Sequence, residues 1–326
     1  MLKFTAAFAV AASALLLAGT AAAFTPDRSE CIAPAKPGGG FDLTCRIAMN
    51  GFEETKLLAK PMEVSFMPGG IGAVAYAHMN SNRRNDPSAI VAFSGGSLLN
   101  IAQGKFGQNL DENNARWLAS AGADFGAIIV KADAPWKDLK ELAAAVKADP
   151  TKYVVGAGGT VGSQDWMKAA LFMKAAGGDA KKMRYVAFEG GGESIAALLG
   201  GHIQIYTGDA AEMKGRINDG TMRMLAVLAD KRLPGDYANV PTAKEQGFDI
   251  EWTIIRGFYL GPDVNDEAYD WWVGQFKKMF AMPVYAKVQE EKGLFPFEMA
   301  GKEFDVYVKK LVAEYRQIAK DAGLTK

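Results

Sequence analysis

The sequence predicts an α/β protein of two domains, and three observations carry that prediction. Apolar, β-rich runs alternate with amphipathic helical stretches along most of the chain. Glycine clusters recur where a strand should give way to a helix. With 326 residues the chain is long enough for two cores, since single cores tend to split beyond about 250–300 residues.

Met1 to Ala23 has the parts of a secretory signal peptide: Lys3 as the positive region, an apolar run from Phe4 to Ala18, and small residues at Ala21-Ala22-Ala23. The apolar run is too short to span a bilayer comfortably. The expected mature chain begins at Phe24 and is periplasmic. It carries no lipid, because Thr20 stands where a lipid-attachment site needs a cysteine. Lysine and arginine number 37 against 37 aspartates and glutamates, and no basic run exceeds two residues, which argues against a nucleic-acid partner.

Ile32 to Arg46 reads as a short strand, a glycine turn and the first turn of a helix. Gly38–Gly40 let the backbone take positive φ and approach a ligand closely, while Asp42 or Thr44 starts a helix whose unpaired amides face outward. Lys36 adds a positive charge, so the preferred guest is an anion. Cys31 and Cys45 are the only cysteines, and in an exported chain they predict a disulfide that braces this turn.

Further along, Met62–Met67 reads as a strand, Ile71–Asn80 as a helix, and Ala89–Phe93 as a buried strand ending in Ser94-Gly95-Gly96-Ser97. Ala127–Lys131 is a strand, and Pro135 opens a helix over Trp136–Lys147. Tyr153–Val155 leads into the glycine-rich run Gly156–Ser163 and a helix to Ala176. Arg184–Phe188 ends at Gly190–Gly192, Ser194–Leu199 is helical, His202–Tyr206 is a strand, and Thr207-Gly208-Asp209 opens another helix. Met222–Leu228 and Trp252–Leu260 are strands, and the chain ends in helices, the last over Phe304–Ala319. Trp252, Trp271 and Trp272 belong to the core.

Five glycine clusters thus fall at the carboxyl ends of strands, where an open α/β sheet forms its crevices. Enzyme readings find less support. His78 and His202 are the only histidines, no zinc-ligand spacing exists, and no Gly-x-Ser-x-Gly elbow occurs. Gly156-x-Gly158-x-x-x-Gly162 approaches a dinucleotide fingerprint, but Val161 takes the third-glycine place and the next strand-end acid, Glu189, is too distant. No catalytic residue, metal or cofactor is predicted. An exported α/β enzyme remains the alternative class.

Taken in order, Pro34-x-x-x-Gly-Gly-x-x-Asp42, Met67-Pro-Gly-Gly70, Gly156-x-Gly-Gly-x-x-Gly-Ser163, Gly190-Gly-Gly-Glu-Ser194 and Val240-Pro-Thr-Ala-Lys-Glu-Gln-Gly247 resemble the solute receptors of tripartite tricarboxylate transporters. The resemblance covers nearly the whole chain after residue 23. It implies a two-lobed periplasmic-binding-protein fold, type II-like, with a first lobe from residues 24–127 and 253–326 and a second from 128–252. Two crossing strands, near Ala127–Lys131 and Thr253–Tyr259, would form the hinge. It also implies a monomer that takes a small carboxylate and hands it to inner-membrane permease subunits. The segment Cys31–Cys45 is similar to the tricarboxylate-binding branch, which puts citrate first; a dicarboxylate or an aromatic acid would use the same loops.

The site expected on these grounds has Lys36, Pro37, Gly38, Gly39, Gly40 and Phe41 as a leading carboxylate clamp and Gly159, Thr160, Ser163 and Gln164 as the opposing one. Ser94 and Ser97 add hydroxyls from the first lobe, Gly191 and Gly192 add amides from the second, and Glu189 and Glu193 bring negative charge beside them. Asp209 is a further candidate, and Arg256, on the returning strand, could grip a carboxylate with its fork or equally sit in a surface ion pair. Asp42 is expected to cap its helix and hold the glycine turn rather than touch an anion.

Overall fold

The computed structural model describes residues 24–217, 219–321 and 324. The expected signal peptide, residues 1–23, lies outside the described residues. Two five-stranded sheets organise the chain. The first is built from β1 (Glu30–Ala33), β2 (Glu63–Phe66), β3 (Ala89–Ser94), β4 (Arg116–Phe125) and β10 (Thr253–Leu260); the second from β5 (Ala127–Lys131), β6 (Val154–Gly158), β7 (Arg184–Phe188), β8 (Ile205–Tyr206) and β9 (Met222–Val227). Their strand orders are β2-β1-β3-β10-β4 and β7-β6-β8-β5-β9.

In each sheet three strands run parallel and the remaining two are antiparallel to their neighbours. The parallel strands need helical crossovers, supplied by α1 (Gly40–Thr55), α2 (Ala73–Ser81), α3 (Gly95–Ala102), α5 (Gln164–Ala175) and α6 (Gly191–Leu199), while α4 (Leu139–Ala148) links β5 to the oppositely directed β6. The end of the chain folds back onto the first sheet as α7 (Asp266–Phe280), α8 (Pro283–Glu291) and α9 (Lys302–Asp321). Each lobe has its core on both faces of its sheet. In the first lobe Phe52, Trp272, Phe276 and Phe258 pack on one side and Tyr76, Phe93, Trp117 and Phe304 on the other. Trp252 and Trp271 pack against these cores, as the sequence suggested.

The chain leaves the first sheet through Gly126 and comes back through Trp252. These two crossings bond to each other and to Leu228: Gly126 N–H donates to Trp252 O (2.9 Å), Trp252 N–H to Leu228 O (2.8 Å) and Leu228 N–H to Gly126 O (2.7 Å).

Several elements differ from the sequence reading. The ten-residue strand β4 was not expected at all. Its Ala, Ser, Gly and Asp content is poor in β-formers, and it is held by pairing with β10 along its length. The strand expected at His202–Tyr206 is only two residues long. The helix expected after Asp209 is a single 3₁₀ turn, Ala210–Met213. Helix α4 starts not at Pro135 but after Asp138, whose side chain accepts from Glu141 N–H.

The Cys31–Cys45 disulfide is present, joining β1 to α1. A loop of this length contributes about 3 kcal/mol in the chain-entropy treatment. Cys45→Ala is expected to lower the unfolding free energy by about that much, as read by urea denaturation under oxidising conditions; a loss below about 0.5 kcal/mol would show that the strain of the bond cancels its constraint.

Candidate ligand-binding cleft

All five glycine clusters sit at carboxyl ends of strands, and the helices after four of them, α1, α3, α5 and α6, begin at the space between the lobes. The cleft is lined by Gly40 and Phe41 of α1, Ile71, Ser94 and Gly96 at the start of α3, Gly158, Ser163, Gln164 and Asp165 at the start of α5, Gly190 and Gly191 at the start of α6, and Asp209, Glu212 and Arg256 on the floor.

The lobes are in contact. The first turn of α1 meets that of α6: a Cβ on Gly39 would stand 2.9 Å from Gly192 N, and one on Gly192 would overlap Pro37 O. The start of α3 meets that of α5, where a Cβ on Gly96 would stand 3.3 Å from Gln164 Cβ. The loops at 36–42 and 158–164, expected to oppose one another, therefore each face a different partner across the same cleft. Lys36 pairs with Glu193, Gln103 Nε2 donates to Gly162 O (2.8 Å), and Lys105 Nζ to Val161 O (2.9 Å), all from one lobe to the other.

Asp42 does hold the turn, accepting from Gly38 N–H at 2.8 Å, where Gly38 takes φ 91°. It is not the N-cap, a position filled by Gly39 with no side-chain bond. Lys36 is half exposed and tied to Glu193. Ser94 caps α3 by accepting from Gly96 N–H, and Ser97 donates to Ile71 O at 3.2 Å. Ser163 caps α5, and its hydroxyl donates to Gly158 O at 2.9 Å, so this donor is not aimed at a ligand. Gly159 and Thr160 line an adjoining chamber with Gly70, Asn100, Lys105, Phe188 and Glu189. Ile71 borders both chambers, in a left-handed conformation (φ 54°, ψ 45°) that is strained for a β-branched residue.

Arg256 lines the cleft and is only 1 % exposed. It grips Asp124 through Nε (3.0 Å) and Nη2 (2.7 Å), and Nη2 also reaches Asp209 at 2.5 Å. Two nitrogens of its fork thus hold protein carboxylates, in an ion pair that is buried rather than on the surface. Asp209 also binds Lys168 Nζ (2.6 Å), and Lys168 in turn binds Asp165 at 2.8 Å. The floor is thus a buried chain of Asp124, Arg256, Asp209, Lys168 and Asp165, with Glu212 beside it.

Glu212 was missed by sequence reasoning. Its Oε1 accepts from Gly40 N–H at 2.9 Å, while Oε2 accepts from Asp209 N–H at 3.2 Å and from the Tyr206 hydroxyl. A carboxylate of the second lobe therefore occupies an amide at the start of α1, in the first lobe. The local signal was the Asp209-x-x-Glu212 capping-box spacing, which the structure realises, but nothing local says that its acid also reaches Gly40, 172 positions away.

Burial, then the charge of Asp209, pushes the Glu212 carboxyl up to about 7, against the opposing pull of Arg256. Burial raises Asp124 and Asp165 as well. Burial also works to raise Asp209, but Lys168 and Arg256 outweigh it and hold that carboxyl below its usual range. Because the folded chain holds the Glu212 proton more tightly than the unfolded one does, this residue's contribution to stability falls as pH rises between about 4.5 and 7. Glu212→Gln is accordingly expected to gain up to about 3 kcal/mol relative to wild type between about pH 5 and pH 8. Denaturant unfolding of both proteins at the two pH values checks this, and a difference that does not move with pH would contradict it.

Two α/β lobes closed over a cleft of helix amino ends define the class, the two-lobed periplasmic-binding-protein fold. The family profile described as "Tripartite tricarboxylate transporter family receptor" matches residues 117–324, and the chain belongs to that family. It is 26 % identical to the "UPF0065 protein in gbd 5'region" of Cupriavidus necator over 290 residues, 89 % of this chain and 85 % of that one. Its fold is similar to that of the periplasmic binding protein BugD, with TM-score 0.82, 20 % identity, and coverage of 92 % of this chain and 99 % of the other. It is also similar to MatC from Rhodopseudomonas palustris with bound malate, with TM-score 0.75, 17 % identity, and coverage of 89 % and 98 %. At these identities the two structural likenesses concern the fold. Among the described residues no helix is long and apolar enough to cross a membrane, and no three His, Cys, Asp or Glu side chains are placed to hold a metal ion.

Proposed function

We propose that this chain is a periplasmic receptor that closes its two lobes around a small carboxylate and presents the closed form to inner-membrane permease subunits. The observation that carries the reading is the convergence of four helix amino ends, those of α1, α3, α5 and α6, on one cleft between lobes that touch on both sides. The positive end of the helix dipole favours an anion at each such terminus. The malate in MatC supports a carboxylate for this chain too. Citrate, first on the sequence, brings three negative charges to a floor with more acids than bases, so ligands of lower charge rank beside it. The receptor is proposed to act as a monomer.

Hinge bending at Gly126 and Trp252 would open the cleft, since the two crossings are the places where the chain passes between sheets. Removal of residues 1–23 remains part of the proposal. Phe24 N–H lies 3.0 Å from Glu267 Oε1 and its ring packs on Trp271, so a new amino terminus there would meet a carboxylate.

Thermal unfolding of ligand-stripped protein with citrate, malate, succinate, glutamate and benzoate tests the reading. A ligand at one hundred times its dissociation constant stabilises the fold by about 2.7 kcal/mol, a shift of a few degrees for two domains of this size. An exported enzyme would instead consume its ligand. Product formation, or no shift with any carboxylate, would overturn the receptor reading.

A further inference from the structure

Backbone amides around the cleft donate to acids, and most of these bonds stay within one lobe. Gly38 N–H donates to Asp42 in the first lobe, and Gly158 N–H to Asp165 (2.9 Å) and Glu189 N–H to Glu193 (3.0 Å) in the second. Such bonds are indifferent to whether the lobes stand together or apart. The bond of Gly40 is not. Its N–H, in the first turn of α1, donates at 2.9 Å to Oε1 of Glu212, a carboxyl of the opposite lobe. Helices α3 and α5 carry serine caps of their own, Ser94 and Ser163, whereas the N-cap of α1 is Gly39, which has no side chain to offer. An acid of one lobe thus caps a helix of the other.

Glu212 is fixed for that contact by its own lobe. Its Oε2 accepts from the Tyr206 hydroxyl and from Asp209 N–H, which leaves Oε1 for the first lobe. Glycine makes the room on both sides: a Cβ on Gly191 would overlap Oε1, and one on Gly40 would overlap the Arg256 guanidinium. Glu212 is 6 % exposed, so the contact is buried. With Glu212 in place the open space between the cleft walls is about 40 Å³, room for about one to three waters, where a small-molecule site usually has about 300 Å³ or more. The amino end of α1, a favoured place for an anion, is taken by the protein's own carboxyl.

We infer that Glu212 is a built-in competitor of the ligand: it caps α1 from the opposite lobe, holds the receptor closed on itself, and has to leave Gly40 N–H before a ligand's carboxylate can take that place. This rests on the receptor reading above and adds to it a self-closed resting form from which ligand must displace a side chain. Such a form lowers apparent affinity in proportion to its population, so a receptor about nine-tenths closed on itself binds about tenfold more weakly than its open form would.

Small-angle scattering and calorimetry on ligand-stripped protein test this, with malate and citrate as the probes, near pH 8, above the value of about 7 to which burial raises Glu212. Free wild type is expected to be as compact as wild type saturated with ligand. Glu212→Ala should be larger when free, compact on adding ligand, and bind malate or citrate about tenfold or more tighter than wild type. Glu212→Gln keeps an oxygen for Tyr206 and Asp209 but brings a neutral group to α1, so it should bind threefold or more tighter, and it serves where Glu212→Ala fails to fold. Unchanged or weaker binding in the variants would overturn the inference and leave the receptor reading in place, since Glu212 would then support the ligand or the fold rather than compete. Tighter binding with no change in the size of the free protein would also overturn it, because Glu212 would then only repel the ligand. Free wild type that is expanded and compacts on binding would do the same. If malate and citrate bind none of the three proteins, and the wider panel of carboxylates above shifts no melting curve, the receptor reading fails and this inference with it.

Discussion

Arg256→Ala is expected to lower the unfolding free energy by about 3–5 kcal/mol, the cost of leaving buried charges without their partner. Arg256 bonds Asp124 and Asp209, which are 0 % and 6 % exposed, so its removal strands two carboxylates where water cannot reach them. Lys168 still binds Asp209, but nothing positive remains beside Asp124. The two acids would then take up protons, and the variant should regain stability as pH falls toward about 5. Arg256→Met offers a comparison of similar volume. Urea unfolding at two pH values reads the effect, and a loss under about 1 kcal/mol would show that the network contributes little beyond packing.

Gly192→Ala should separate closure from folding. A methyl group there would overlap Pro37 O and stand 3.2 Å from Gly38 C and Gly39 N, all backbone of the opposite lobe. The residue is in the first turn of α6 without positive φ, so alanine suits its own lobe. Opening the cleft relieves the overlap, whereas closing forces backbone to shift at about 1–3 kcal/mol. Binding of any ligand that requires closure should weaken roughly 5- to 150-fold while the melting temperature of the unliganded protein stays near or above wild type. Unchanged affinity would mean that the two loops do not need to meet around the ligand.

The glycine turns were legible because each is a local statement: a strand, residues tolerant of unusual φ, and a helix start. The disulfide was equally local. Strand β4 was not, since Arg116–Phe125 becomes a strand through pairing with β10, more than a hundred residues later. The same gap hid the partners of Arg256. Its partner Asp124 lies on that strand, two places from Gly122, which pairs with Arg256 across the ladder. The sequence left ligand and ion pair open for this arginine because its acids come from a strand not foreseen and from a turn read as a helix. Glu212 was hidden for a related reason: its bond to Gly40 N–H joins the two lobes, and only their closure brings it there.

A receptor closed on a small carboxylate should keep its ligand through native mass spectrometry of the protein taken from periplasmic extract. The expected species is a monomer carrying one small molecule that, once released by denaturation, proves to contain a carboxylate and survives prolonged incubation with the protein unchanged. A bound molecule without a carboxyl group, or one converted to product during incubation, would contradict it.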